Sequence, residues 1–118
     1  MPPLTDPERL TCYRNALANW RYDGFLTFTR VALTWLNKEL PDYSTRDIAK
    51  LLHDFVTAGG EIDQQPETRD PWKQLHDYHY DLRIRLAGRL IYFETRLSYR
   101  DPDDPDDPLI DVVNVHDA

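Results

Sequence analysis

Residues 78–99 alternate between apolar and polar side chains, and this pattern constrains the fold more than any other part of the chain. A period of two is typical of strands with one buried face, because successive side chains of a strand point to opposite sides. Ala87-Gly88-Arg89 interrupts the alternation and predicts a turn. The sequence therefore predicts an antiparallel hairpin with a mostly apolar buried face: Tyr78, Tyr80, Leu82, Ile84, Leu86, Ile91, Phe93, Thr95, Leu97 and Tyr99.

Two registers of this hairpin agree with the alternation. A four-residue loop places Arg83 opposite Glu94 and Asp81 opposite Arg96, whereas a two-residue loop places Asp81 opposite Glu94. Opposite charges across a strand pair stabilise it by roughly a few tenths of a kcal/mol, and like charges destabilise it by a similar amount. The longer loop is therefore the predicted one.

A third strand is predicted after an acidic loop. Residues 101–108 read DPDDPDDP, and proline and aspartate both disfavour strands. Residues 109–116 are apolar on both sides near their middle, which favours a central strand. The even-numbered residues from Val112 to His116 should share one face and the odd-numbered residues the other. Residues 61–64 are a candidate for a fourth short strand.

Three helices are predicted before the hairpin. The first covers about residues 7–21, with a capping box that starts at Thr5. The second covers residues 25–40; its first half also alternates like a strand, but its apolar spacing favours a helix. The third begins after Ser44, a good N-cap, and ends at Gly59-Gly60.

These elements predict one α+β domain over residues 1–118, in which about three helices pack on one face of a three- to four-stranded antiparallel sheet. Residues 5–58 would be helical and residues 59–77 a loop. The antiparallel sheet would cover residues 78–116, with the acidic Asp/Pro loop at 101–108.

The charge of the chain is concentrated at one end. The formal net charge is −7, and residues 101–118 hold seven aspartates and no lysine or arginine. A sequence pI near 4.9 argues against general nucleic-acid binding, which depends on cations that neutralise phosphates. The single cysteine, Cys12, excludes an internal disulfide, and no stretch has the ~20 apolar residues of a membrane span. We therefore expect a cytoplasmic protein with no membrane partner.

The polar face of the predicted sheet carries side chains with the chemistry for RNA cleavage. A base would remove the 2′-hydroxyl proton, arginine would stabilise the charged phosphate, and an acid would protonate the leaving oxygen. The simpler interpretation is a solvated face whose arginines pair with Asp81 and Glu94. The candidate catalytic residues are His79, Arg83, Tyr92, Arg96 and His116.

The order of helices followed by HYDLRIRL, GRLIYFETRL and IDVVNVHDA resembles the RelE and MqsR type of bacterial ribonuclease toxin, as does the helical segment DIAKLLHDFV. The resemblance covers roughly residue 42 to the end. It implies a curved antiparallel sheet behind N-terminal helices, and a metal-independent endoribonuclease with Arg83, Tyr92 and Arg96 on its RNA-cleaving face. The segments HYDL, ETRL, DPDDP and VVN-HDA also resemble short bacterial proteins of unassigned activity, which implies no function.

The acidic loop has two further interpretations besides a stiff solubilising connection. Clustered carboxylates bind Ca²⁺ in some loops, but this one lacks the central glycine and distal glutamate of an EF-hand. The histidines have no close paired spacing with Cys12, so neither zinc nor any other metal or cofactor is predicted. The second interpretation of the acidic loop is that it docks a basic protein through Asp101, Asp103, Asp104, Asp106 and Asp107.

The leading functional prediction is a protein-interaction domain that does not catalyse a reaction. Its contacts would come from the polar sheet face, including Arg85 and Glu94, or from the five aspartates of the loop. The predicted partner is a protein, either a basic one or a second copy of the chain in a homodimer. The alternative is the endoribonuclease, which requires His79, Arg83 and the other candidate catalytic residues to converge in a concave pocket within reach of one phosphate.

Overall fold

The computed structural model describes residues 3–70, 72–101, 103–104 and 106–118. Its strands form a five-stranded sheet in the order β1-β5-β4-β3-β2. The prediction of an α+β fold is confirmed, but the prediction of three to four antiparallel strands is wrong, because the sheet has five strands and β1 runs parallel to β5. The elements are α1 (Pro7–Ala18), β1 (Leu26–Phe28), α2 (Arg30–Glu39), α3 (Thr45–Thr57), β2 (Asp63–Pro66), a 3₁₀ helix (Trp72–Gln74), β3 (Tyr78–Leu86), β4 (Arg89–Tyr99) and β5 (Pro108–Asp117).

The segment predicted as one helix over residues 25–40 divides into a strand and a helix. Leu26–Phe28 form β1, and α2 begins only at Arg30. Thr29 separates the two elements, because its hydroxyl caps the helix by accepting the N–H of Ala32 at 3.2 Å. The alternating pattern and the helical stripe were therefore both valid signals, and each applied to one part of the segment.

The ends of the other helices follow their capping residues. The N-cap of α1 is Asp6 and not Thr5, and the helix ends at Ala18, earlier than the predicted residue 21. The prediction for α3 is confirmed: Ser44 forms a capping box with the third helical residue, and Gly59 ends the helix with a φ of +91°. None of the described helices is long and apolar enough to cross a membrane.

One face of the sheet and the inner sides of the helices form the core. The fully buried Tyr13 of α1 connects the two layers, since its hydroxyl lies 2.8 Å from Oγ1 of Thr95 on β4. Thr95 in turn donates to the backbone oxygen of Tyr80 at 2.7 Å. The buried apolar residues are Leu4, Tyr13, Ala16, Leu17, Ala32, Leu36, Leu40, Ile48, Leu52, Val56, Ile62, Tyr80, Leu82, Ile84, Ile91, Phe93, Ile110, Val112 and Val115.

The β3–β4 hairpin has the two-residue loop, so the register predicted from charge is wrong. Leu86 pairs with Arg89, and Asp81 lies opposite Glu94. Ala87 and Gly88 both have positive φ angles, +54° and +76°, as in the type I′ turns whose twist matches that of a hairpin. Turn geometry thus outweighs the cross-strand charge term, which is small and is offset here by Arg69, a cation from outside the hairpin that contacts Glu94.

A β-bulge changes the faces of β5. Val112 and Asn114 pair with adjacent residues of β4, which leaves Val113 as the extra residue. Val112 and Val115 therefore both lie in the core, whereas His116 lies on the polar face. The predicted even-and-odd division of this strand is wrong beyond the bulge. Its predicted central position is confirmed, because β5 lies between β1 and β4.

Candidate functional site

The sheet face opposite the helices carries the five residues predicted to be catalytic, but the structure does not bring all of them together. Arg83, Tyr92 and His116 occupy one row across β3, β4 and β5, because Tyr92 pairs with both neighbours. His79 and Arg96 lie further along the strands, in a region that is largely enclosed. The two regions differ in charge pairing and in exposure.

The enclosed region contains a cluster of two acidic and two basic side chains: Glu67, Arg69, Glu94 and Arg96. Arg96 is 3% exposed, and its Nη2 lies 3.2 Å from Oε2 of Glu67 and 3.8 Å from Oε2 of Glu94. Arg69 completes the cluster from outside, since its guanidinium contacts both Glu67, at 3.0 Å, and Glu94. The prediction that Arg96 pairs with Asp81 is therefore wrong.

A segment that follows β2 covers this cluster; residues 67–70 and 72–77 are its described part, and we call it the cover segment. Its two ends are joined by a hydrogen bond from the N–H of Glu67 to the oxygen of Asp77, at 2.9 Å. The ring of Trp72, in the 3₁₀ helix, lies 4.3 Å from the guanidinium carbon of Arg96. Arg96 is thus held by ion pairs and an aromatic ring, and a substrate phosphate cannot reach it in this arrangement.

His79 also contacts a carboxylate and not a free pocket. Its Nδ1 lies 2.8 Å from Oδ1 of Asp81, which is 2% exposed.

Burial raises the pKa of the neighbouring Tyr92, and the carboxylates of Asp81 and Glu94 raise it further. The Tyr92 phenol therefore stays protonated at neutral pH and cannot act as a general base there.

The exposed region lies near the β3–β4 turn, and we call it the hairpin patch: Arg83, Arg85, Leu90, Tyr92 and His116. The rings of Tyr92 and His116 are stacked with centroids 4.5 Å apart, and the Arg83 guanidinium carbon lies 5.3 Å from the Tyr92 centroid. Arg83 pairs with Asp63 of β2, which corrects the predicted pairing with Glu94. Leu90, opposite Arg85, is 36% exposed. Arg85 makes no hydrogen bond or ion pair with any residue that the structure describes.

The acidic loop is closed on itself. The N–H of Arg100 donates to the oxygen of Asp107 at 3.0 Å, and the carboxylates of Asp101 and Asp104 accept the N–H groups two residues further on. Asp101, Asp103, Asp104 and Asp106 are exposed. The prolines at 102 and 105 lie outside the described residues. Within the described part of the chain, no group of three His, Cys, Asp or Glu side chains is arranged to hold a metal ion.

Sequence reasoning missed the cover segment as a functional part of the polar face. Glu67, Arg69 and Trp72 lie in a stretch without periodicity, which predicts a loop but not its location. The available signal was the close spacing of opposite charges and a tryptophan in an otherwise polar stretch. Only the pairing of β2 with β3 places these residues over Arg96.

No protein-family model, no curated protein and no solved structure matches the chain significantly. The similarity to RelE and MqsR toxins therefore stays a prediction, and the functional argument rests on the geometry of the polar face.

The buried cluster should make the protein sensitive to acid. Burial alone would raise the pKa of Glu67, but hydrogen bonds from Arg69 and the charge of Arg96 outweigh it and lower the pKa below its ordinary value. A carboxylate with a lowered pKa stabilises the fold above its unfolded pKa of about 4.3, and this contribution is lost as the pH falls through the folded pKa. Urea unfolding between about pH 6 and pH 3 should show this loss in the parent protein. In Glu67→Gln, stability should be lower near neutral pH and should depend less on pH. Equal pH slopes for the two proteins would contradict the assignment.

Proposed function

We propose that the chain is a protein-interaction domain whose contact surface is the hairpin patch. The observation that carries the proposal is the stack of the half-buried Tyr92 with the exposed Arg83 and His116, beside the exposed Arg85, whose side chain has no described partner. Tyrosine and arginine are the side chains enriched at the energetic centres of protein interfaces, together with tryptophan. Leu90 adds exposed apolar area to the same surface.

The patch is also rigid in a way that favours binding. Tyr92 lies on the longest strand and is paired on both sides, by Arg83 and by His116. Side chains that are already ordered lose less conformational freedom when a partner binds, so more of the contact energy contributes to affinity. The buried carboxylates of Asp81 and Glu94 beneath this surface are already contacted by His79 and Arg69. Arg83 pairs with Asp63, so Arg85 is the arginine of the patch that remains for an acidic group of a partner.

The proposal can be tested by site-specific photo-crosslinking in cells that express the protein. A crosslinking phenylalanine derivative would replace Arg85 or Leu90 in the patch, and Thr34, exposed on α2, would be the matched control position. We expect a specific adduct from positions 85 and 90 and none from position 34. Adding Tyr92→Ala should lower the adduct yield at position 90 by roughly tenfold or more, since truncating a central aromatic typically costs at least ~2 kcal/mol of binding energy.

The adduct itself distinguishes the predicted partners. A second copy of the chain would identify a homodimer, and a different protein would identify a heterologous partner. Yields at positions 85 and 90 no higher than at position 34 would refute the proposal. If the crosslinker gave an adduct only at Asp103, the contact surface would be the acidic loop and not the hairpin patch. Circular dichroism of Tyr92→Ala would show that the variant is folded.

A second candidate function is a metal-independent endoribonuclease, and it is favoured by the adjacency of Arg83, Tyr92 and His116. In this reaction His116 would take the 2′-hydroxyl proton, Arg83 would stabilise the phosphate, and the protonated Tyr92 would supply the proton to the leaving oxygen. The buried Arg96 and the Arg83–Asp63 ion pair argue against it. We expect no RNA cleavage by the purified protein. Cleavage that His116→Ala abolishes would replace the interaction proposal with this one.

A further inference from the structure

A pocket of about 170 Å³ lies at the end of the sheet next to the first turn of α1, away from the hairpin patch. Arg9 of α1 forms one side, and the last residues of the cover segment form another. The floor consists of the start of β3 and the end of β4. The pocket is lined by Arg9, Leu75, His76, Asp77, Tyr78, Tyr80, Leu97 and Tyr99. It contains the cation of Arg9, the carboxylate of Asp77, the imidazole of His76, three phenols and two apolar side chains, and nothing in the proposed interaction function uses it.

Tyr80 is the feature that most strongly indicates a ligand. Only 4% of the residue is exposed, and its ring is held by Tyr13, at 5.7 Å between centroids, and by Tyr78, at 6.5 Å. Among the described residues its hydroxyl has no hydrogen-bond partner, although its backbone oxygen accepts from Thr95. The hydroxyl is open to the space of the pocket, so a ligand there can bond to it without breaking a hydrogen bond of the protein.

Arg9 supplies a positive charge that is not committed to a close ion pair. Its contacts to Asp6 and Asp77 are 3.7 and 3.6 Å, longer than hydrogen bonds, and the Asp77 side chain is 82% exposed. Its guanidinium carbon lies 4.8 Å from the centroid of the Tyr78 ring, which holds it over the pocket. An arginine in this position is suited to a carboxylate, because its planar fork matches the two oxygens.

The other lining groups select for a small ligand with one apolar part. A cavity of about 150 Å³ accommodates a benzene-sized molecule, and this pocket is only slightly larger. Leu75 and Leu97 provide apolar walls for such a ring. Burial and the charge of Arg96 lower the pKa of His76, so at neutral pH its imidazole is uncharged and leaves Arg9 as the cation of the pocket.

We propose that this pocket binds a small monocarboxylate with a single ring, whose carboxylate contacts Arg9 and the Tyr80 hydroxyl and whose ring lies between Leu75 and Leu97. The site is on the other side of the sheet from the hairpin patch. It therefore goes beyond the proposed interaction function, and the two proposals can fail separately.

The test is an NMR titration of the ¹⁵N-labelled protein with sodium benzoate as the probe. We expect saturable shifts confined to the lining residues and a dissociation constant in roughly the millimolar range, as a ligand of this size allows. Benzamide has the ring without the charge, and acetate has the charge without the ring. Each should bind at least about tenfold more weakly than benzoate.

Two substitutions and one control test the assigned contacts. Arg9→Gln should weaken benzoate binding by about tenfold, and Tyr80→Phe by about fivefold. Tyr80→Phe removes a single hydroxyl that has no described partner, so the variant should fold normally. Arg14→Gln is the matched control, because it removes the same charge from the same helix outside the pocket; its affinity should equal that of the parent. Shifts that do not saturate, equal affinity for benzamide, or equal losses in Arg9→Gln and Arg14→Gln would each overturn the proposal.

Discussion

Arg96→Ala should lower the free energy of unfolding by about 3–5 kcal/mol, the typical cost of removing one partner from a buried ion pair. The substitution leaves Glu67 and Glu94 enclosed, with Arg69 as the remaining cation of the cluster. It also removes the guanidinium on which Trp72 rests, at 4.3 Å. Domains of ordinary stability have only about 5–15 kcal/mol in total, so this loss would be a large share.

Urea unfolding followed by circular dichroism measures this effect, and Arg83→Ala is its matched control. Arg83 lies on the same sheet face, but its ion pair with Asp63 is more exposed, so its loss should cost only about 0–1 kcal/mol. Hydrogen exchange should also accelerate across the cover segment in Arg96→Ala, because the segment loses the contacts of Glu67 and Trp72 with the guanidinium. Equal losses in the two variants would show that the cluster is not the stabilising feature described above.

Tyr13→Ala should cost a similar amount, about 3–5 kcal/mol, because it leaves a large cavity where α1 meets the sheet. Tyr13 is fully buried, and its ring packs against Tyr80 with centroids 5.7 Å apart. Its hydroxyl also bonds to Thr95, so the substitution removes both an aromatic ring and a buried hydrogen bond. The measurement is again the free energy of unfolding in urea.

Tyr13→Phe separates the two parts of this effect. It keeps the ring and removes only the hydroxyl, and Thr95 retains its hydrogen bond to the backbone oxygen of Tyr80 at 2.7 Å. The expected cost is therefore about 1 kcal/mol. A loss in Tyr13→Phe as large as in Tyr13→Ala would mean that the hydrogen bond, and not the packing of the ring, holds α1 on the sheet.

The features of the fold that depend on local pattern were predictable from the sequence. Alternation identified β3 and β4 with their buried faces, and the Ser44 cap with Gly59 identified α3, because each signal lies within a few consecutive residues. The hairpin register was not predictable from charge, because the positive φ of Ala87 is not encoded by a residue that favours it. The bulge at Val113 had no signal either, since valine suits both faces of a central strand.

The residue types on the polar face were predictable, but the separation of that face into an enclosed cluster and an exposed patch was not. Arg83 and Tyr92 were correctly assigned to one polar surface by alternation, whereas His116 lies on that surface only because of the bulge at Val113. Alternation says which face a residue occupies and nothing about what covers that face. Arg96 is enclosed because Glu67 and Trp72 arrive from a distant loop, and such tertiary contacts leave no periodic trace in the sequence.

The position of β5 has a consequence for the synthesis of the protein. β1 pairs with β5, and Thr27 and Asp111, which share a hydrogen bond across this pair, are 84 positions apart. The β3–β4 hairpin can form early because its contacts are local, but β1 stays without its partner strand until residues 108–117 have left the ribosome. Pairings over such a sequence distance are slow to form. In emerging chains the Leu26–Phe28 strand should therefore stay unpaired. The last strand should then complete the sheet by inserting between β1 and β4.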